Sequence, residues 1–159
     1  MTWFETSRTS EAVVTADRAD VWAALVDPSA IAEMTPLVER IEADGDHWRW
    51  QLQNVPGLGV SIAPAFTVRL ETDEPDRIAF VHDPPEGERE RAGVEGIYLL
   101  SEVEQGTRLK IDLTVRVDLP LPRLTKPAVT TSMQGVLASM GKGFSSALLR
   151  RLGAEQLDV

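Results

Sequence analysis

Apolar and polar side chains alternate most regularly between residues 108 and 119. Leu109, Ile111, Leu113, Val115, Val117 and Leu119 interleave without a miss with Arg108, Lys110, Asp112, Thr114, Arg116 and Asp118. A period of two predicts a strand with one buried and one wet face. The same parity places Trp48, Trp50 and Leu52 on one face of an earlier strand, and Val60, Ile62, Pro64, Phe66, Val68 and Leu70 on one face of the next. Pro64 marks an edge or a bulge there. Ile78 and Phe80 share a face with His82, and Val94, Gly96, Tyr98 and Leu100 share one with Glu102. Residues 3–15 predict a first strand with imperfect alternation. Turn signals at Asp44-Gly45-Asp46, Glu74-Pro75-Asp76, Pro84-Pro85-Glu86-Gly87 and Gln105-Gly106 cut the chain into antiparallel neighbours.

Beyond the proline-containing connection at 119–127 the period changes. Val129, Met133, Val136, Leu137, Met140, Phe144, Leu148 and Leu152 fall three and four apart, which predicts a one-sided helix from Thr125 to Leu152. At about 1.5 Å per residue it spans roughly 40 Å, the width of a small domain. Pro127 suits its first turn, Arg150 and Arg151 complement the dipole in its last, and Gly153 supplies a stop. Earlier, Asp17 is placed as the N-cap of a short helix over ADVWAALV. Asp27-Pro28 breaks that helix, and Ser29–Met34 form a second short one. The order predicts an α+β fold in one domain over residues 1–159. A bent antiparallel sheet of about seven strands wraps around the long C-terminal helix, with two short helices after the first strand.

Composition narrows the function. With 43% hydrophobic and 26% charged residues, the chain has the balance of a soluble globular protein. A net charge of −9 argues against nucleic acid and against electrostatic binding to anionic membranes. No run is long and apolar enough for an integral membrane segment, and MTWFETSRTSEAVV lacks the apolar core of a signal peptide, so the expected location is cytoplasmic. There is no cysteine, and His47 and His82 are the only histidines; neither a metal nor a cofactor is expected. Thirteen arginines against three lysines fit a GC-rich genome or adaptation to high salt.

The stretch VVTADRADVWAALVDPSAI resembles the opening of the START-like superfamily, also called SRPBCC: a strand, a small acidic corner, Val-Trp, then Asp-Pro. Gly106-Thr107, the alternating strand after it and the terminal helix resemble that family's second half. The resemblance spans essentially the whole chain and implies a helix-grip fold with a cavity between helix and sheet that holds hydrophobic small molecules. In texture the chain is similar to small bacterial polyketide cyclase-like members and to the G subunit of carbon monoxide dehydrogenase clusters, a choice the sequence leaves open. The superfamily has no universal catalytic motif, so the resemblance implies no catalytic residue.

Candidate ligand contacts come from both sides of that interface: Trp48, Trp50, Phe66, Phe80 and Tyr98 from the sheet, and Met133, Leu137, Met140 and Phe144 from the helix. Ordinary core packing is the simpler explanation for Met133, Met140 and Phe144, and it accounts for Trp48 and Trp50 at least as well. Gly135, Gly141 and Gly143 each weaken a helix by about 1 kcal/mol relative to alanine, which calls for close packing, a kink or room for a ligand. Three readings follow. The first is a carrier of a hydrophobic, lipid- or polyketide-like molecule. The second is a cyclase or dehydratase using His82, Tyr98 or Glu102 for proton transfer. The third is an interaction subunit with a filled core, as in a homodimer.

Overall fold

The computed structural model describes residues 2–157. Strand β1 (Thr2–Val14) leads into helices α1 (Arg18–Leu25) and α2 (Pro28–Met34). Strands β2 (Val38–Asp44), β3 (His47–Leu52), β4 (Ala65–Asp73), β5 (Arg77–His82), β6 (Ala92–Val103) and β7 (Gly106–Leu119) follow as a meander. A single 3-10 turn at Arg123–Thr125 precedes α3 (Lys126–Leu152), and the two-residue β8 (Gln156–Leu157) comes last. All neighbours are antiparallel in the order β2-β3-β4-β5-β6-β7-β1-β8.

The helix-grip architecture is thus present, with one strand more than expected. β8 is too short to carry an alternation signal. It forms because Gly153 adopts the left-handed conformation (φ 60°) and Ala154 N–H closes on Leu149 O at 2.9 Å, turning the chain back onto Val13 and Val14. The Asp-Pro corner also differs in detail. Asp17 makes no side-chain capping bond, whereas Asp27 accepts from the N–H groups of Ser29 (3.0 Å) and Ala30 (3.4 Å).

A larger departure concerns residues 53–64. β4 begins only at Ala65, so Val60, Ile62 and Pro64 are not part of a strand face. Gly57 and Gly59 both take positive φ (80° and 82°), and the segment folds back on itself, with Val55 N–H donating to Ile62 O at 2.9 Å. Leu58, between the two glycines, is buried.

α3 runs nearest β1 and α2 and is anchored at its two ends. Val129 and Met133 are buried near its start, and Phe144 and Leu148 near its finish, while Val136, Leu137 and Met140 between them are half-buried. The three helix glycines now separate. A Cβ on Gly143 would collide with Pro36 Cγ, so that position serves close packing. Gly141 faces Arg8, whose Nε would lie 3.8 Å from such a Cβ. Gly135 is exposed and meets nothing within 4 Å.

Polar groups on the outer face pair with one another. Ser7 and Thr114 are 2.9 Å apart, Thr9 donates to Asp112 at 2.6 Å, and Arg108 reaches Glu11 at 2.9 Å. His47 lies 2.7 Å from Asp83 and 2.8 Å from Asp46. Its hydrogen bond with Asp83 raises the His47 pKa above 6.5, and the same bond lowers that of Asp83 below 3.8.

Two outcomes are expected. Gly135→Ala should raise stability to urea by about 1 kcal/mol through helix propensity, while Gly143→Ala should lower it by about 1–3 kcal/mol through overpacking. Equal effects of the two would contradict the packing described. For His47, the raised pKa adds stability below pH 6.5 that is lost as pH rises through the folded-state value; the depressed Asp83 adds stability above pH 3.8 that is lost as pH falls. Stability curves against pH should therefore fall less steeply above pH 6.5 in His47→Asn than in the parent.

Candidate functional site

A cavity of about 490 Å³ lies between the middle of α3 and the inner face of the sheet, a volume within the roughly 300–1,000 Å³ of small-molecule sites. Its floor follows from strand register, because directly opposed antiparallel residues point to the same face. Trp48 stands opposite Val68, Trp50 opposite Phe66, Phe80 opposite Gly96 and Tyr98 opposite Ile111. Trp50 stacks on Phe66 (5.6 Å, 19°), and Phe80 tilts against Tyr98 (5.2 Å, 58°). Gly96 leaves room for its neighbours, since a Cβ there would come within 2.8 Å of both Phe80 and Leu113.

All five aromatic candidates line this space, as do Met133, Leu137, Met140 and Phe144 from the helix above. Ile111, Leu113 and Val115 in the middle of β7 also line it and are only half-buried; Val117 lines it too but is buried, as is Leu109 at the other end of that run. α3 therefore bridges the sheet rather than lying flat on it. Leu25 and Ile31 from the short helices and Val55 and Leu58 from the 53–64 loop close the ends.

The three proton-transfer candidates do not meet. Tyr98 faces the cavity, and its hydroxyl has no hydrogen-bond partner among the described residues; burial pushes its pKa up to about 12. It is a neutral hydrogen-bonding group at ordinary pH. His82 has the inward parity expected of it, opposite Val68, yet is not among the lining residues. It is the last residue of β5, beyond the point where β5 and β6 stop pairing. Its ring sits over Gly93, where a Cβ would come within 2.6 Å of Nδ1. His82 Nε2 is 2.9 Å from Glu90, whose carboxylate also accepts from Thr67 N–H and Oγ1–H, both at 2.8 Å.

Glu102 is a correction to the parity reading. Its side chain is 71% exposed, 3.4 Å from Arg18. Leu100, two residues earlier on that face, is buried; Glu102 still pairs with Thr107, but its side chain turns out of the core toward Arg18.

The sequence reading missed Arg8 and Ser10, which line the cavity from β1. Register places Arg8 opposite Leu113 and Ser10 opposite Ile111. The signal lay in the flanks of that strand: Phe4, Ala12 and Val14 share the parity of Arg8, so extending their face inward from both ends reaches it. No Asp or Glu is among the residues lining the cavity. Among the described residues, no three His, Asp or Glu side chains converge as a metal-binding group, and no helix is long and apolar enough to cross a membrane.

Comparison with known proteins agrees with this geometry. A family model described as polyketide cyclase/dehydrase and lipid transport matches residues 5–155. Among solved structures, a conserved protein of Geobacillus kaustophilus superposes with a TM-score of 0.66 at 16% identity, covering 98% of this chain and 100% of its own. A START superfamily protein of Mycobacterium smegmatis gives 0.63 at 19% identity over 94% and 97% of the two chains. An aromatase/cyclase from a Streptomyces species gives 0.63 at 16% identity over 96% and 94%. At these identities the likeness is one of fold. No curated protein matches the chain.

The lone tyrosine of the chain makes one feature directly measurable. Alkaline titration of the folded protein, followed by phenolate absorbance, should show Tyr98 ionising near pH 12 rather than near 10. An ordinary midpoint would place its hydroxyl in open water.

Proposed function

From the premise that this chain belongs to the polyketide cyclase/dehydrase and lipid-transport family, we propose that it binds and carries a hydrophobic small molecule between α3 and the sheet. The observation that carries this reading is the cavity itself, of about 490 Å³ and lined largely by aliphatic and aromatic side chains. A filled core would bury Ile111, Leu113, Val115 and Met140 against each other. Here they are half-buried around an empty volume, and apolar surface of this kind gains free energy when a nonpolar ligand covers it.

The arrangement of proton-transfer groups favours carriage over catalysis. A general acid or base works within hydrogen-bond reach of the reacting atom. His82 is engaged with Glu90, Glu102 stands in solvent beside Arg18, and Tyr98 alone faces the ligand space. A phenol held near pKa 12 orients a ligand by a hydrogen bond better than it exchanges protons with it.

Met140 tests the proposal, since it lines the cavity at the middle of α3. Met140→Trp should abolish binding of the neutral apolar dye Nile red while leaving the melting temperature unchanged or higher, because the indole enters empty space. A dense core at this level would instead be overpacked, at a cost of about 1–3 kcal/mol. A clear fall in melting temperature, with Nile red binding intact, would overturn the proposal.

A further inference from the structure

Among the charged side chains at the cavity, Arg8 and Lys142 make no hydrogen bond or ion pair with the described residues, and Arg8 is the one on the sheet. It sits on the inner face of β1, opposite Leu113, and lines the cavity. On the outer face of the same two strands Ser7 pairs with Thr114, Thr9 with Asp112 and Glu11 with Arg108. Arg116, also at the cavity, lies 3.9 Å from Glu95. Arg8 is exposed at the rim of the cavity, with its guanidinium open to water and to whatever enters there.

Its surroundings single it out further. Gly141 on α3 is the residue over Arg8, and any larger side chain there would press toward the guanidinium, 3.8 Å from where a Cβ would begin. Ser10, two residues along the same face, adds a hydroxyl to the cavity wall. The chain carries 25 acidic residues, yet none lines the cavity, whose charged members are Arg8, Arg116 and Lys142. A guanidinium presents a planar fork of donors that matches a carboxylate in a bidentate pair. At this place on the wall a guanidinium with a hydroxyl two residues along suits a singly charged head group.

Resting on the proposed binding role, we infer that the ligand is an amphipathic carboxylate whose apolar body fills the cavity and whose carboxylate pairs with Arg8 between β1 and α3. The anion enters a protein of net charge −9, so recognition depends on this local cation rather than on long-range attraction.

Displacement of Nile red by decanoate, 1-decanol and decyl phosphate, in the parent and in Arg8→Gln and Arg8→Lys, tests this. In the parent, decanoate should displace the dye at a concentration roughly tenfold below decanol, as a charge-assisted hydrogen bond permits. Arg8→Gln should bring the two within about twofold by weakening decanoate, and Arg8→Lys should keep part of the preference. Equal displacement by decanoate and decanol in the parent would overturn the carboxylate inference and leave the binding proposal standing, as would a preference unmoved in Arg8→Gln. Stronger displacement by decyl phosphate than by decanoate would overturn the choice of head group. Failure of the parent to bind Nile red, or of every competitor to displace it, would overturn the inference and the binding proposal together.

Discussion

The structure depends on how one long helix is held. α3 is fixed at both ends, by Val129 and Met133 near its start and by Phe144 and Leu148 near its finish, and Gly143 brings it against Pro36 without room for a methyl group. Hydrophobic burial therefore acts at two separated levels. Between them the sheet falls away from the helix, and the side chains of both surfaces point into shared space instead of into each other. A rigid span of 27 residues over a bent sheet creates the cavity by geometry, because a straight rod touches a concave surface near its rims.

That arrangement was legible in the sequence to the extent that it follows from period. The unbroken alternation of Leu109 to Leu119 and the three-and-four spacing from Val129 to Leu152 each describe one face of one element, and both faces are where the patterns put them. Parity gives the direction of a residue and not the reach of its side chain. Glu102 keeps the rhythm of Tyr98 and Leu100, yet its carboxylate extends to Arg18 at the surface. Val60 and Ile62 alternate like a strand in a segment that folds back on Val55, and Gly57 and Gly59, both at positive φ, flank the buried Leu58. His82 shows the converse case. Its facing is right, but Glu90, which engages it, comes from the β5–β6 connection, and period says nothing about contacts between a strand and a loop.

Arg8 was illegible for another reason. Periodicity methods read an arginine as a solvent mark, so a cation on an inward face appears as noise in an otherwise apolar strand, and the first strand looked irregular. The irregularity is confined to the middle, where Arg8 and Ser10 are exposed and line the cavity. Charge and cavity thus coincide: the place where β1 departs from a buried pattern is a wall of the cavity.

The order of strands carries a consequence for how the molecule assembles. β1 pairs along its whole length with β7, from Thr2 with Leu119 to Val14 with Thr107, and along its other edge with β8 at Gln156 and Leu157. Thr15 N–H also donates to Glu155 O at 2.9 Å. β1 therefore waits for the whole of the β2–β6 meander before either of its edges is satisfied. Contacts of such sequence separation are formed at a high entropic cost of loop closure and slow the folding of the proteins that rely on them. The β2–β6 meander, built from adjacent hairpins, can form without that wait. Closure of β1 and seating of α3 both depend on contacts of long sequence separation, so the β1 wall of the cavity and its roof share that cost.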